Sequence, residues 1–335
     1  MKVREKFTVI CLVVITGLFL GVNAYAAEYI FRVADNSPVD SPMAKGFDKF
    51  KTFLEDLSKG RIAVEVHKAG ALGKTREVIE LERMGKLEVC GGGAGWLQTF
   101  APEMGIALLP FIWKDTATMF EVMDGPLGDH LKKKAEEKGF HILGWFDNGF
   151  RHVTNRARPI KSLEDFKGIK IRCLSTPVHI AFFKALGATP TPLDWAELYD
   201  ALRMRVVDAQ ENPPALVYSA RFYEVQKYYS LTGHVNEPAG FHMSKIVYDK
   251  LPDDLKLTVD VAARKATLWE REECGRDNQA AFGKLKEAGM QINEVPKETI
   301  DQIRRIAIEK VYPSVIADFG PIGGKLVDLF IWANK

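Results

Sequence analysis

The densest polar stretch of the sequence is Trp145-Phe146-Asp147-Asn148-Gly149-Phe150-Arg151-His152-Val153-Thr154-Asn155, which overlaps the end of an apolar strand pattern. Asn148-Gly149 reads as a tight turn, which would set Arg151 at the start of whatever leaves that strand. Lys170-Ile171-Arg172-Cys173 comes next, with Arg172 at the carboxyl end of a second strand pattern. Open α/β sheets collect their ligands at such ends. A guanidinium is planar and can grip both oxygens of a carboxylate. Both arginines are therefore candidates for an acid-binding site, with a surface ion pair as the alternative for each. Trp195 ends the stretch from Gly187 to Trp195, read as a loop stiffened by Pro190 and Pro192, and either walls a cleft or packs in the core. Asp208-Ala209-Gln210-Glu211-Asn212-Pro213-Pro214 sets four polar side chains behind a strand start at Val206-Val207, and turn formation alone would explain them.

Other chemistries lack their residues. His67, His130, His141, His152, His179, His234 and His242 form no HExxH and no pair with a carboxylate at metal spacing. There is no GxSxG elbow and no phosphate-binding GxxxxGK(S/T) loop. Gly91-Gly92-Gly93-Ala94-Gly95 follows a strand but lacks dinucleotide-binding spacing, and reads as a loop where backbone approaches something closely. No basic and aromatic cluster suggests a platform for nucleic acid. No metal, cofactor or catalytic set is expected. Binding is favoured over catalysis, with an exported enzyme on a similar scaffold and a ligand sensor for a signalling receptor as the competing classes.

Alternating strand and helix patterns must position these residues. A strand at Tyr29 to Val33 precedes the loop Asp35-Asn36-Ser37-Pro38. Ser41-Pro42 then gives a capping hydroxyl followed by proline at the first helical position. Ile62, Val64 and Val66 alternate as a strand, a helix runs from about Thr75 to Met84, and Leu87 and Val89 open another strand. The pattern resumes with a strand at Ile142 to Phe146, a helical turn at Ser162 to Phe166 and a strand at Ile169 to Cys173. Thr176-Pro177 starts a helix, and Asp194 with Glu197 forms a capping box for the next. Strands separated by helices of this length mean largely parallel sheets. Asp253 to Ala288 contains no proline and reads as one long helix or two abutting ones. A single one would run about 54 Å, long enough to cross between two domains. Ile300, Ile303, Ile306 and Val311 form a further helical pattern.

The chain has 335 residues, 47% hydrophobic and 27% charged, with 46 basic and 44 acidic side chains for a net charge of +2. This composition excludes a disordered or fibrous chain, and the length suits two domains. Lys2, Arg4 and Lys6 precede an apolar run from Phe7 to Leu20, followed by Ala24-Tyr25-Ala26. That order reads as a secretory signal cleaved after Ala26, residues 1–26, and export to a periplasm or cell exterior. Cys90, Cys173 and Cys274 remain and are expected as buried thiols.

From Leu72 onward the sequence carries an ordered series of motifs. They are Leu72-Gly73 with Arg76-Glu77, Pro102-Glu103, Leu109-Pro110-Phe111, and Asn148-Gly149-Phe150-Arg151 with Thr154-Asn155. Lys167-Gly168-Ile169-Lys170-Ile171-Arg172, Gly187-Ala188-Thr189-Pro190-Thr191-Pro192, Val207-Asp208-Ala209-Gln210-Glu211-Asn212-Pro213 and Phe222-Tyr223-Glu224-Val225-Gln226-Lys227-Tyr228 continue it. The whole mature chain thereby resembles the DctP-type extracytoplasmic solute-binding proteins of tripartite ATP-independent periplasmic (TRAP) transporters. The resemblance implies an α/β, two-domain periplasmic-binding-protein fold with hinge strands and a long domain-spanning helix. Domain I would comprise residues 27–148 and 238–277, and domain II residues 149–237 and 278–335. It implies a monomer in the periplasm that delivers a small organic acid to TRAP membrane subunits. Arg172 matches the arginine that pairs with the ligand carboxylate, Arg151 a second ligand-facing arginine and Asn212 an asparagine of the same clamp. Trp195 matches an aromatic over the ligand, and Asn148 belongs to the same site. Gly93 and Trp96 replace a glutamate and an arginine of the sialic-acid-binding branch, which argues for a smaller or more apolar ligand. Two arginines favour a C4-dicarboxylate, with a 2-oxo, hydroxy or aromatic monocarboxylate as the alternative.

Overall fold

The computed structural model describes residues 27–320, 323–325 and 327, so the expected leader and its cleavage after Ala26 lie outside the described residues. The chain begins with β1 (Tyr29–Asp35), α1 (Pro42–Leu57), β2 (Ile62–His67), α2 (Thr75–Arg83) and β3 (Val89–Gly93). Next come α3 (Gly95–Gln98), α4 (Thr116–Met123), α5 (Pro126–Glu136) and the long strand β4 (Phe140–Asn155). Then β5 (Lys170–Cys173), α6 (Pro177–Ala185), β6 (Thr189–Pro192), α7 (Trp195–Arg203), β7 (Ala209–Asn212) and α8 (Pro214–Ser219) lead to a second long strand, β8 (Tyr228–Ser244). After it come α9 (Lys245–Lys250), α10 (Asp253–Glu287), β9 (Gln291–Glu294) and α11 (Lys297–Ile306).

The local signals act as their chemistry requires. Ser41 Oγ accepts from the Ala44 N–H at 3.1 Å ahead of Pro42, and Thr176 Oγ1 accepts from the His179 N–H at 3.3 Å ahead of Pro177. Asp194 caps α7 by accepting from the Ala196 N–H at 3.0 Å. The expected capping box does not form, because Glu197 reaches Lys74 Nζ, 2.7 Å away at the start of α2.

The sheet order is β2-β1-β3-β8-β4-β7-β5-β6, with β9 also pairing to β8. The outer strands on each side are parallel, as βα units demand, whereas β3–β8, β8–β4 and β4–β7 are antiparallel. Two α/β halves are therefore joined through β4 and β8. One half meets them at β3, along Val89–Met243 to Gly93–Ala239. The other meets them at β7, along His152–Asn212 to Asn155–Ala209. Between these regions the β4–β8 register slips, with Asp147 opposite Pro238 and Gly149 opposite Glu237.

Helix α10 spans both halves. Leu255, Val259, Ala262, Ala263 and Ala266 pack with Phe31, Phe47, Phe50 and Phe241 in one core. Leu285, near its other end, packs with Leu198, Leu202, Val217 and Tyr229 in another. Each buried Leu, Val or Phe among them contributes roughly 1.5–3 kcal/mol. Asp253 and Asp254 in the first turn and Lys284 and Lys286 in the last oppose the helix dipole.

Four further sequence expectations are corrected. Asn148-Gly149 is not a turn that ends a strand. β4 continues through it as a bulge, with Gly149 at φ +92° and its N–H on Asp147 Oδ1 at 2.8 Å. Thr189–Pro192 is not a loop but the edge strand β6, a position that tolerates proline because its free side needs no N–H. The polar run after Val207 is itself the buried strand β7, because Gln210 and Glu211 find hydrogen-bonding partners on other strands or their side chains. Gly91 to Gly93 likewise belong to a strand, although the expected close approach is present: a Cβ on Gly91 would lie 2.4 Å from the Phe47 ring. Cys90, Cys173 and Cys274 are buried free thiols.

Candidate ligand-binding site

A cavity opens where the two halves face each other, and every site residue expected from the sequence lines it: Gly93, Trp96, Asn148, Arg151, Arg172, Trp195 and Asn212. They arrive from different elements. Gly93 ends β3, Trp96 lies in α3, Asn148 and Arg151 stand on β4, Arg172 on β5, Trp195 opens α7 and Asn212 ends β7. Sheet pairing of β4 with β7 and β8, rather than proximity in sequence, brings the group together.

The two arginines occupy opposite electrostatic situations. Arg151 is 1% exposed, and each nitrogen of its fork is hydrogen-bonded. Nε and Nη2 donate to the Glu211 carboxylate at 2.5 and 2.7 Å, Nη2 donates again to the Glu211 carbonyl at 2.7 Å, and Nη1 donates to Glu237 Oε2 at 2.6 Å. Burial opposes its charge, but the two carboxylates outweigh burial and raise its pKa. Burial would also raise the Glu211 carboxyl; Arg151 overrides this and holds it well below the usual carboxylate range. Arg151 thus lines the cavity with every guanidinium nitrogen already hydrogen-bonded to Glu211 or Glu237.

Arg172 is 3% exposed and has no carboxylate partner among the described residues. Nε and Nη2 donate to the Leu193 carbonyl at 3.1 and 3.0 Å, and Nη1 is buried without a hydrogen bond. Burial pulls its pKa down to about 10, with Glu211 opposing and Arg151 adding to the fall. Its guanidinium carbon stands 6.0 Å from the centre of the Trp195 ring. A buried cation with an unused donor can accept a charge-assisted hydrogen-bonding partner such as a carboxylate.

Further polar groups line the cavity that the sequence reading did not assign to the site. Asn36, Ser37 and Ser41 come from the segment between β1 and α1. Their signal was their position after the first strand, but Ser41 was read only as a cap. Asp147 stands beside Asn148, and burial pushes its carboxyl up to about 6 against the Gly149 N–H it accepts. Glu237 on β8 is the largest omission. Asn148 Nδ2 donates to its Oε2 at 2.8 Å, so Asn148 helps fix the Glu237 carboxylate. Asn212 Nδ2 donates to Gln210 Oε1, and the Asn212 carbonyl accepts from Tyr229 Oη at 2.9 Å, so β7 is braced from within.

Residues 33–318 match the bacterial extracellular solute-binding proteins of family 7, DctP. The chain is 35% identical over 244 residues to the 2,3-diketo-L-gulonate-binding periplasmic protein YiaO of Escherichia coli (strain K12), covering 73% of this chain and 74% of that protein. Its fold is similar to that of a TRAP periplasmic solute-binding protein from Polaromonas sp. JS666 bound to D-erythronate, with a TM-score of 0.84 and 34% identity over 90% of this chain and 98% of the other. A TRAP periplasmic solute-binding protein from Sulfurospirillum deleyianum with bound succinate is similar to the same degree, with a TM-score of 0.85 and 32% identity over 90% and 99% of the two chains.

Proposed function

The chain belongs to the bacterial extracellular solute-binding proteins of family 7 (DctP), the periplasmic subunits of TRAP transporters, and from that premise we propose that it captures a small hydroxy or oxo monocarboxylate through Arg172. Proteins of this family carry small organic acids to a TRAP membrane complex, and their role is transport rather than catalysis. The observation that carries the reading is the buried Arg172, whose Nη1 has no hydrogen-bond partner among the described residues. A ligand carboxylate would supply the missing counter-charge and accept the free donor.

The same geometry bears on ligand class. A C4-dicarboxylate needs a second anchor, and Arg151 has its donors on Glu211 and Glu237. One free guanidinium favours one carboxylate. Trp96 and Trp195, both half-buried on the cavity wall, would flank the remainder of the ligand. The D-erythronate and 2,3-diketo-L-gulonate named for two relatives are monocarboxylates and support this choice, while the succinate named for a third supports the dicarboxylate.

A thermal-shift screen of small organic acids should identify ligands, because a molecule that binds only the folded state raises its apparent stability. Isothermal titration of Arg172→Lys then tests the anchor. Truncating one partner of a buried charge pair costs about 2–5 kcal/mol, which is roughly 30- to 3,000-fold in affinity. Lysine keeps the charge but not the fork, so the loss should fall toward the lower part of that range. A folded variant binding within about threefold of wild type would reject Arg172 as the anchor.

A further inference from the structure

Building on the reading of Arg172 as carboxylate anchor, we infer that Glu237, seated in the space left by the missing side chain of Gly93, selects ligands that present a hydroxyl and excludes those that present a second carboxylate. A Cβ at position 93 would lie 2.0 Å from Glu237 Oε1 and 2.6 Å from its Cδ. Any residue larger than glycine at the end of β3 would therefore displace the carboxylate. The glycine that removes one polar contact thus admits another, and the cavity is more polar than its own position 93 suggests.

Glu237 is 1% exposed and lines the cavity together with Gly93 and Arg172. Its Oε2 is held by Arg151 Nη1 at 2.6 Å and Asn148 Nδ2 at 2.8 Å, which fixes the orientation of the group. Its Oε1 has no hydrogen-bond partner among the described residues. A carboxylate bound to Arg151 offers only acceptors, and a buried acceptor without a donor is costly to leave that way. A ligand hydroxyl would satisfy Oε1. A ligand carboxylate would bring only more acceptors and a like charge. Of the two guanidinium groups on the cavity wall, Arg151 already faces the two carboxylates of Glu211 and Glu237, and Arg172 would be taken by the first ligand carboxylate, so no unpaired cation is left among the described residues to offset that repulsion. One free cationic anchor and one unsatisfied anionic acceptor together complement a hydroxylated monocarboxylate of the aldonate class.

The test is titration calorimetry on the full mature chain with D-erythronate, galactonate, butyrate and succinate, using wild type, Glu237→Gln and Arg172→Lys. Sites that hydrogen-bond a ligand hydroxyl reject analogues lacking it strongly. At least one of the two hydroxy acids should bind wild type about tenfold or more tightly than both butyrate and succinate. Glu237→Gln should shrink the hydroxy-acid-to-succinate ratio by about tenfold or more, whereas loss of a merely structural brace would weaken both acids equally. Glu237 also braces Arg151; should that variant fail to fold, the wild-type ligand series alone decides. Succinate binding as tightly as both hydroxy acids would overturn the selector while leaving Arg172 as anchor. Undiminished binding to Arg172→Lys would overturn the anchor instead, and failure of all four acids to bind wild type would overturn both.

Discussion

Arg151 and Arg172 are the same residue type on strands two apart in the sheet, yet only one has a charge without a carboxylate partner. What separates them is the strand between: β7 delivers Glu211 to Arg151 and leaves Arg172 facing a backbone carbonyl. Asp147 is a third buried ionisable group at the cavity. Glu270, Arg271 and Cys274 of α10 surround it, with Glu270 Oε2 accepting its N–H at 2.8 Å. Glu270 is itself pushed well above the carboxylate range, by burial first and by Asp147 second. Asp147 has a folded pKa of about 6 against an ordinary 3.8, so the folded state holds a proton that the unfolded chain has released. Its contribution to stability is fullest below about pH 4 and is lost as pH rises to about 6. Between pH 5 and pH 8 the ligand-free protein should lose on the order of 1 kcal/mol from this group. Asp147→Asn keeps an acceptor for the Gly149 N–H and should remove that part of the pH dependence. Urea midpoints of both proteins at the two pH values check it, and identical pH dependence in the two would show that Asp147 is not the titrating group.

At the scale of elements, the bulge in β4 sets the direction of Asn148 and Arg151. Gly149 holds it open with φ +92°, and a Cβ there would lie 2.4 Å from Asn278 Nδ2 on α10. Gly149→Ala should therefore lower stability by about 1–3 kcal/mol, read as a fall in urea midpoint. An unchanged midpoint would mean that β4 and α10 can move apart there. The boundaries of most helices were legible because their signals are local: Ser41-Pro42, Thr176-Pro177 and the proline-free run that became α10. Arg172 was legible as a cleft residue because a strand end is local too. β8 was not. Its residues from 234 to 244 are buried without a break, so it shows no alternation, and it contains Gly233, Pro238 and Gly240. Glu237 was lost with it. Its place beside Gly149, Asn148 and Arg151 is set by pairing between strands distant in sequence, which no short window of sequence records.

At the scale of the whole molecule, β4, β8 and α10 are the connections about which two halves can move. We propose the hinge at 148/149 and 237/238, the domain boundaries expected from the sequence, which fall on the register slip between Asp147–Pro238 and Gly149–Glu237. Arg172 gives a physical reason for the motion. A guanidinium buried without a counter-ion carries a desolvation cost, and opening the cleft would return water to it. A ligand carboxylate would remove that cost and favour closure, so binding and closing would be one event. Solution scattering should then show a larger radius of gyration without ligand than with a saturating hydroxy acid. Arg172→Met separates this account from a simple bridging effect of the ligand. Replacing a buried charge by an apolar side chain of similar volume removes the desolvation cost, so the variant should be compact without ligand and should no longer respond to it. Far-UV circular dichroism would confirm its fold. If ligand-free Arg172→Met is as extended as ligand-free wild type, the buried charge does not drive opening, and the cause must lie in the hinge strands themselves.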